Sequence, residues 1–104
     1  MAHATVNPGI CGFSTRLEVI PQADGQCLVR GESACPHVER LLASLGPVDP
    51  YGEISCQPEP PRILAAAGKL LPHPACPVPC ALLKTMEVAG GLALPADVSF
   101  VISE

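Results

Sequence analysis

Aromatic and basic residues are scarce in this sequence, and their scarcity argues against nucleic-acid binding. The aromatic side chains are one Tyr and two Phe, too few to form a stacking surface for the bases of single-stranded RNA or DNA. The six Lys and Arg residues are scattered singly through a chain of net charge -4, so no basic stripe is available for phosphate contacts. We therefore expect no nucleic-acid partner.

Long apolar runs are also missing. The longest apolar stretch, 81–95, is interrupted by Lys84 and Glu87 and is too short to cross a bilayer. The N-terminus lacks the basic residues of a secretory signal, and Pro8 and Gly9 would interrupt its apolar part. We expect a soluble, cytoplasmic protein with no membrane partner. In that compartment cysteines are more often thiols or metal ligands than disulfides, whereas secretion would reverse the expectation.

The common catalytic motifs are absent as well. No glycine-rich phosphate loop, HExxH zinc motif or GxSxG nucleophile motif occurs. Asp49, Glu53 and Glu59 cluster in a proline-rich connection, which we interpret as a solvated acidic loop with Glu53 as a reserve oxygen ligand. The sequence leaves enzymatic activity undecided and leans against it.

What the sequence does have is enough apolar residues for one core. Hydrophobic residues make up 48% of the 104 residues and charged residues 15%, which is typical of a chain that folds. A chain of this length is expected to form a single domain over 1–104. Alternating residues from Phe13 to Val19 predict a strand, Asp24 and Gly25 a hairpin turn, and 26–32 the returning strand.

Three stretches with apolar residues at helical spacing predict helices. The first starts at Pro36, with Cys35 at the N-cap, and ends before Gly46. The second runs from about Pro61 to Leu71 and the third from about Pro77 to Ala89.

A final strand is predicted where Val98, Phe100 and Ile102 alternate with Ser99, Val101 and Ser103. The resulting order is β-β-α-α-α-β. It indicates an α+β fold in which helices cover one face of a small, mainly antiparallel sheet.

Cysteines are the residues with chemistry to offer. Cys35 directly precedes Pro36 and Cys76 directly precedes Pro77, so both thiols are expected at helix N-termini, where backbone N–H groups and the helix dipole favour a thiolate. A thiolate is the form that binds a metal. Cys11 lies in a glycine-containing loop whose backbone N–H groups can approach a sulfur. We predict that Cys11, Cys35 and Cys76 are metal ligands.

A fourth ligand is available near Cys76. The thiol of Cys80, one predicted helical turn further on, or the imidazole of His73 would complete a four-ligand set for an iron-sulfur cluster or zinc. Cys27, inside a predicted strand, is expected in the core, and for Cys56 packing and ligation are equally consistent. The chain contains no Cys-x-x-Cys pair, so these ligands must converge through the fold.

Three segments of the chain resemble those of a family of uncharacterised prokaryotic proteins of about the same length. They are NPGICGF at 7–13, SACP at 33–36 and HPACPVP at 73–79. The resemblance covers the whole chain and implies no activity.

The layout is also similar to that of iron-sulfur scaffold proteins of the NifU and IscU type. In those proteins a strand leads to a first ligand cysteine at the start of a helix, and a last ligand cysteine, preceded by a histidine, opens a late helix. By this resemblance Cys35 is the first ligand, Cys76 with His73 the last, and Cys56 falls in the interval of the middle cysteine. The resemblance implies a cluster scaffold or carrier with a protein partner.

The leading hypothesis is a non-catalytic metal or iron-sulfur binding protein. Three fixed thiolates and an exchangeable fourth position would suit a cluster carrier, whereas four closed ligands would indicate structural zinc. The first alternative is a redox protein or enzyme in which Cys35 or Cys76 is a reactive thiol. The second is a structural adaptor with buried, inert thiols.

Overall fold

The computed structural model describes all 104 residues and has three strands followed by three helices. The predicted class is confirmed: the fold is α+β, with helices packed on one face of a small antiparallel sheet. No helix has the length and apolarity that a membrane span requires. The elements are β1 (Ala2–Val6), β2 (Thr15–Pro21), β3 (Cys27–Ser33), α1 (Pro36–Ser44), a 3-10 helix (Pro50–Glu53), α2 (Arg62–Leu70) and α3 (Val78–Ala89).

The sheet is a meander in the order β1-β2-β3, with both neighbouring pairs antiparallel. The predicted turn between β2 and β3 is confirmed, since Gly25 has a φ of 87° and the Asp24 carboxylate accepts a hydrogen bond from the Gln26 amide at 3.0 Å. A positive φ is open to glycine at little cost, which explains why this residue follows the aspartate.

The predicted element order was wrong at both ends of the chain. The first strand, β1, was not predicted, because two of its five residues are alanine, a poor strand former, and its pairing with β2 is a long-range contact. The predicted final strand at 98–102 does not form, because no strand lies beside it to accept its hydrogen bonds. The observed order is therefore β-β-β-α-α-α.

The core lies between the sheet and the three helices. Every helix contributes its apolar face, as its spacing predicts, and fully burying a Leu, Ile, Val or Met side chain stabilises the fold by about 1.5–3 kcal/mol. The most deeply buried side chains include Leu17 and Val19 of β2, Val38 and Leu41 of α1, Ile63 of α2, and Val78, Leu82 and Met86 of α3.

The other face of the sheet is polar and open to water. Arg16 pairs with Glu32 across β2 and β3, and the imidazole of His3 lies 3.8 Å from the Glu18 carboxylate across β1 and β2. These exposed pairs contribute little to stability. Because successive side chains point to opposite faces, these polar residues alternate with the apolar ones along the strands.

Glu53 and Arg62 tie the start of α2 to the end of α1. The two carboxylate oxygens of Glu53 accept hydrogen bonds from the amides of Arg62 at 2.9 Å and Ile63 at 2.8 Å, which satisfies two free N–H groups at the helix N-terminus. The Arg62 guanidinium donates to the carbonyls of Leu45 at 2.8 Å and Pro47 at 2.9 Å. Glu53 is buried, so its interpretation as part of a solvated loop or as a reserve metal ligand was wrong.

Cys27 lies in the core, as predicted, at the start of β3. Its backbone exchanges two hydrogen bonds with Val48, of 2.8 and 2.9 Å, which attach the chain after α1 to the edge of β3. Burial of the side chain raises the pKa of the Cys27 thiol above its ordinary value of 9.0; the N-terminal ammonium opposes this shift and Asp49 adds to it.

Replacing Glu53 with Gln is expected to lower the free energy of unfolding by about 1–3 kcal/mol, because an amide offers one acceptor oxygen and no charge to the start of α2. Urea unfolding followed by circular dichroism measures the change. Glu59→Gln removes the same charge from an exposed site in the same connection and should leave stability within about 0.5 kcal/mol of the native value. Equal effects of the two substitutions would contradict the capping role.

Above a pH of about 9, stability should fall partly because Cys27 ionises in the unfolded chain while the folded thiol stays protonated. The thiol's contribution is thus fully present below its unfolded pKa and is lost as the pH rises. The Cys27→Ala variant should lose less stability between pH 8 and pH 10 than the native chain, whatever its stability at pH 8. Parallel pH profiles for the two proteins, measured by urea unfolding, would show that the thiol does not contribute.

Candidate thiolate site

Two chain connections that carry cysteines lie at the same end of the sheet. The loop 7–14, with Cys11, joins β1 to β2 where Val6 pairs with Thr15. Thr15 also pairs with Ser33, the last residue of β3, so Cys35 follows at this end. The two thiols are far apart in sequence, and the sheet register brings their connections side by side.

The third such connection, 71–77, joins α2 to α3. At the opposite end of the sheet, α2 starts beside the carbonyls of Leu45 and Pro47. The last residues of α3 lie there too, since a Cβ added to Gly90 would lie 2.8 Å from the Cβ of Pro50. A helix of 12 residues is about 18 Å long, so the start of α3 lies about that far from this opposite end. We infer that 71–77 lies toward the end that carries Cys11 and Cys35, and we call the three connections, 7–14, 33–35 and 71–77, the cysteine end.

Cys35 is the most firmly held thiol-bearing residue of the cysteine end. It is the N-cap of α1 with Pro36 directly after it, as predicted, and its side chain is half-buried against the core. The Cys35 amide donates to the Ser33 hydroxyl at 3.1 Å, and that hydroxyl accepts from buried Thr15 at 2.7 Å. The Ser33 amide in turn donates to the Glu39 carboxylate at 2.7 Å.

Sequence reasoning missed this support. A serine two residues before a cysteine, in the register of a short side-chain turn, was a local signal for it. The pairing of Ser33 with Thr15 was not foreseeable, because it requires the register of β2 and β3.

Cys76 is also half-buried against the core, but its relation to α3 differs from the prediction. The helix starts at Val78 with Pro77 as its N-cap, so Cys76 lies just outside the helix. Prolines are tolerated in a first helical turn because its N–H groups have no partner within the helix. The Cys76 amide donates to the His73 carbonyl at 3.2 Å, which closes a tight turn, and the His73 side chain is exposed.

Cys80 lies within α3 and is exposed. The predicted spacing of one helical turn between Cys76 and Cys80 was wrong, since Cys76 precedes the helix. The buried face of α3 is formed by Val78, Leu82 and Met86.

Cys11 lies at the tip of a turn and is exposed. The Gly12 amide donates to the Gly9 carbonyl at 3.0 Å, with φ values of 89° at Gly9 and 72° at Gly12. The flanking apolar side chains of Ile10 and Phe13 are exposed as well. Both glycines adopt conformations that other residues rarely reach, which explains the glycine-containing motif around this thiol.

The remaining cysteines lie away from this end. Cys27 is at the start of β3, at the far end of the sheet, and Cys56 is an exposed residue in the connection before α2. Neither shares a connection with Cys11, Cys35 or Cys76.

The cysteine end does not hold a preassembled metal site. No three side chains among the His, Cys, Asp and Glu residues lie close enough together to hold a metal ion. The fold thus brings the connections of Cys11 and Cys35 to one end, and it does not bring the side chains of Cys11, Cys35, His73 and Cys76 into a ligand set. All six cysteines are free thiols.

The fold and this arrangement define a small α+β domain that presents free thiols at one end. The chain belongs to the family of unknown function DUF6951, whose model matches residues 2–102. This confirms the resemblance to a family of uncharacterised proteins. No curated protein and no solved structure matches the chain, so the similarity to iron-sulfur scaffold proteins of the NifU and IscU type has no support from these comparisons.

Proposed function

We propose that this protein binds a zinc ion or an iron-sulfur cluster through thiolates of the cysteine end. Cys35, Cys76 and Cys11 supply three ligands. Cys80 or His73 supplies the fourth, or that position stays open for exchange. The proposal is supported by three connections distant in sequence, each with a cysteine: the sheet register brings two of them side by side, and the direction of α3 carries the third away from the opposite end.

Cys35 and Cys76 form the fixed part of the proposed site. Both thiols are half-buried and pack against the core, and the backbone next to each is held by hydrogen bonds. Fixed ligands lose little conformational freedom when a metal binds, which favours affinity.

Cys11 is the ligand that moves in this proposal. Its loop is joined to the sheet at Val6 and Thr15, and the only backbone hydrogen bond within 7–14 joins Gly12 to Gly9. Rotation about two glycines can carry the exposed thiol toward the other two. Metal binding often supplies the free energy that closes such a ligand set, so the absence of a preassembled site is compatible with the proposal.

The donor set fits soft or borderline metals. Thiolates favour zinc and iron-sulfur clusters over magnesium or calcium, which prefer oxygen. A reducing, cytoplasmic compartment would keep the six thiols available. If the fourth position is open, the exposed Ile10 and Phe13 beside Cys11 give a protein partner an apolar contact next to the cluster, as a scaffold or carrier needs.

Protein purified without oxygen should contain zinc, or iron with acid-labile sulfide, in a fixed ratio to the chain. Cys35→Ala and Cys76→Ala should each lower the bound metal about tenfold or more, because each removes a ligand from the fixed part of the site. Elemental analysis, sulfide determination and the visible spectrum measure the content.

Cys56→Ala is the matched control, since it removes an exposed thiol away from the cysteine end and should leave the metal content unchanged. A native protein of full stability without metal would refute the proposal. Equal losses in Cys56→Ala and Cys35→Ala would refute the assignment of the site.

A second candidate function is thiol redox chemistry at Cys35. The observation in its favour is that Cys35 alone among the six cysteines is a helix N-cap, where the N–H groups of α1 favour an anion. No side-chain hydrogen bond occupies that cap.

If Cys35 is a reactive thiol, iodoacetamide should modify it about tenfold faster than Cys80, although Cys80 is the more exposed of the two. Peptide mass spectrometry of the metal-free protein after timed quenching gives both rates. Slower modification of Cys35 than of Cys80 would exclude this candidate. Slow thiols together with an absence of metal would favour the remaining alternative, a structural adaptor.

A further inference from the structure

Residues 93–104, after α3, contain exposed apolar side chains and no secondary structure. Leu94 is 89% exposed, Phe100 73% and Ile102 91%. The last backbone hydrogen bond of the chain joins the Leu92 amide to the Glu87 carbonyl, at 2.8 Å. No later residue makes a backbone hydrogen bond, and residues 93–104 are all exposed, an arrangement that is costly for an apolar segment.

The sequence of this segment is that of a strand. Val98, Phe100 and Ile102 occupy alternate positions, and Ser99, Val101 and Ser103 lie between and after them. β-Branched and aromatic residues in a period of two are the strongest local signal for a half-buried strand. The segment therefore has the sequence of a strand but no neighbouring strand to pair with.

The sheet offers a free edge of matching length. The strand β1 pairs only with β2, so its outer edge, five residues long at Ala2–Val6, has no neighbour. The outer edge of β3 is partly taken, because Cys27 pairs with Val48. An unpaired edge strand is a template for strand addition.

We infer that residues 98–102 of one chain add to the outer edge of β1 in a second copy of the same chain, and that two copies exchange these strands about a two-fold axis. Each copy carries one free strand and one free edge, so a closed dimer satisfies both. The observation is independent of the thiols and of the function proposed for them.

The direction of the tail relative to β1 favours exchange between copies over pairing within one chain. The tail pairs with no strand of its own chain, and a strand entered directly from the end of α3, which lies where β1 begins, would run parallel to β1. In a second copy the tail is free to enter antiparallel, the mode of both existing pairs in this sheet and the stronger one per residue.

The added strand also suits both faces of the sheet. Val98, Phe100 and Ile102 extend the face that the helices cover, where their side chains leave water. Ser99, Val101 and Ser103 extend the open face, beside the exposed side chains of His3 and Thr5, so two of the three residues on that face are polar.

Sedimentation equilibrium of the full chain in reducing buffer tests the inference. The native protein should be a reversible dimer at micromolar concentration, and the double variant Phe100→Ser, Ile102→Ser should raise its dissociation constant about 100-fold or more. Val101→Ser is the control, because it removes an apolar side chain of the same segment from the opposite face, and it should change the constant less than about threefold.

A native chain that stays monomeric at high micromolar concentration would overturn the inference, as would a dimer that the double variant leaves intact or an assembly larger than two. Circular dichroism verifies that the variants fold. If the double variant is unfolded, hydrogen exchange on the native protein decides. Amides 98–102 should be protected in concentrated solution and exchange freely on dilution, whereas free exchange at every concentration would overturn the inference.

Discussion

The structure depends on the packing of three helices on one face of a three-stranded sheet. Contacts at one end of the sheet fix where these helices start and end. There Glu53 caps α2, Arg62 binds the carbonyls that follow α1, and Val48 pairs with Cys27. These contacts hold the end of α1, the start of α2 and the chain before the 3-10 helix together. The loop between β1 and β2 and the chain between β3 and α1 lie at the opposite end of the sheet.

This arrangement places the six cysteines in different chemical environments. At the far end, Cys27 is a core residue whose burial raises the pKa of its thiol. At the cysteine end, Cys35 and Cys76 are half-buried while Cys11 is exposed on a glycine turn. In the function that we propose, Cys35 and Cys76 are the fixed thiols and Cys11 the movable one, and the site closes only when it captures a metal.

Local patterns predicted the parts of this fold that local interactions determine. The hairpin at Asp24 and Gly25, the three helices and the N-cap position of Cys35 are of this kind. The strand β1 and the burial of Glu53 depend on partners distant in the chain, so local sequence propensity does not predict them. The final strand failed for the converse reason: its residues favour a strand, but no strand of its own chain pairs with them. That the connections of Cys11 and Cys35 meet follows from the register of the sheet, which the spacing of cysteines does not reveal.

The proposed site requires that thiols far apart in sequence meet at one point when a metal is present. X-ray absorption fine structure of the zinc-loaded protein is the decisive measurement, because it counts the atoms bound to the metal. We expect a shell of three or four sulfurs at about 2.3 Å, reduced by one sulfur in Cys11→Ser and unchanged in Cys56→Ser. A shell of nitrogen and oxygen with one sulfur or none, or a shell that Cys56→Ser changes and Cys11→Ser does not, would contradict it.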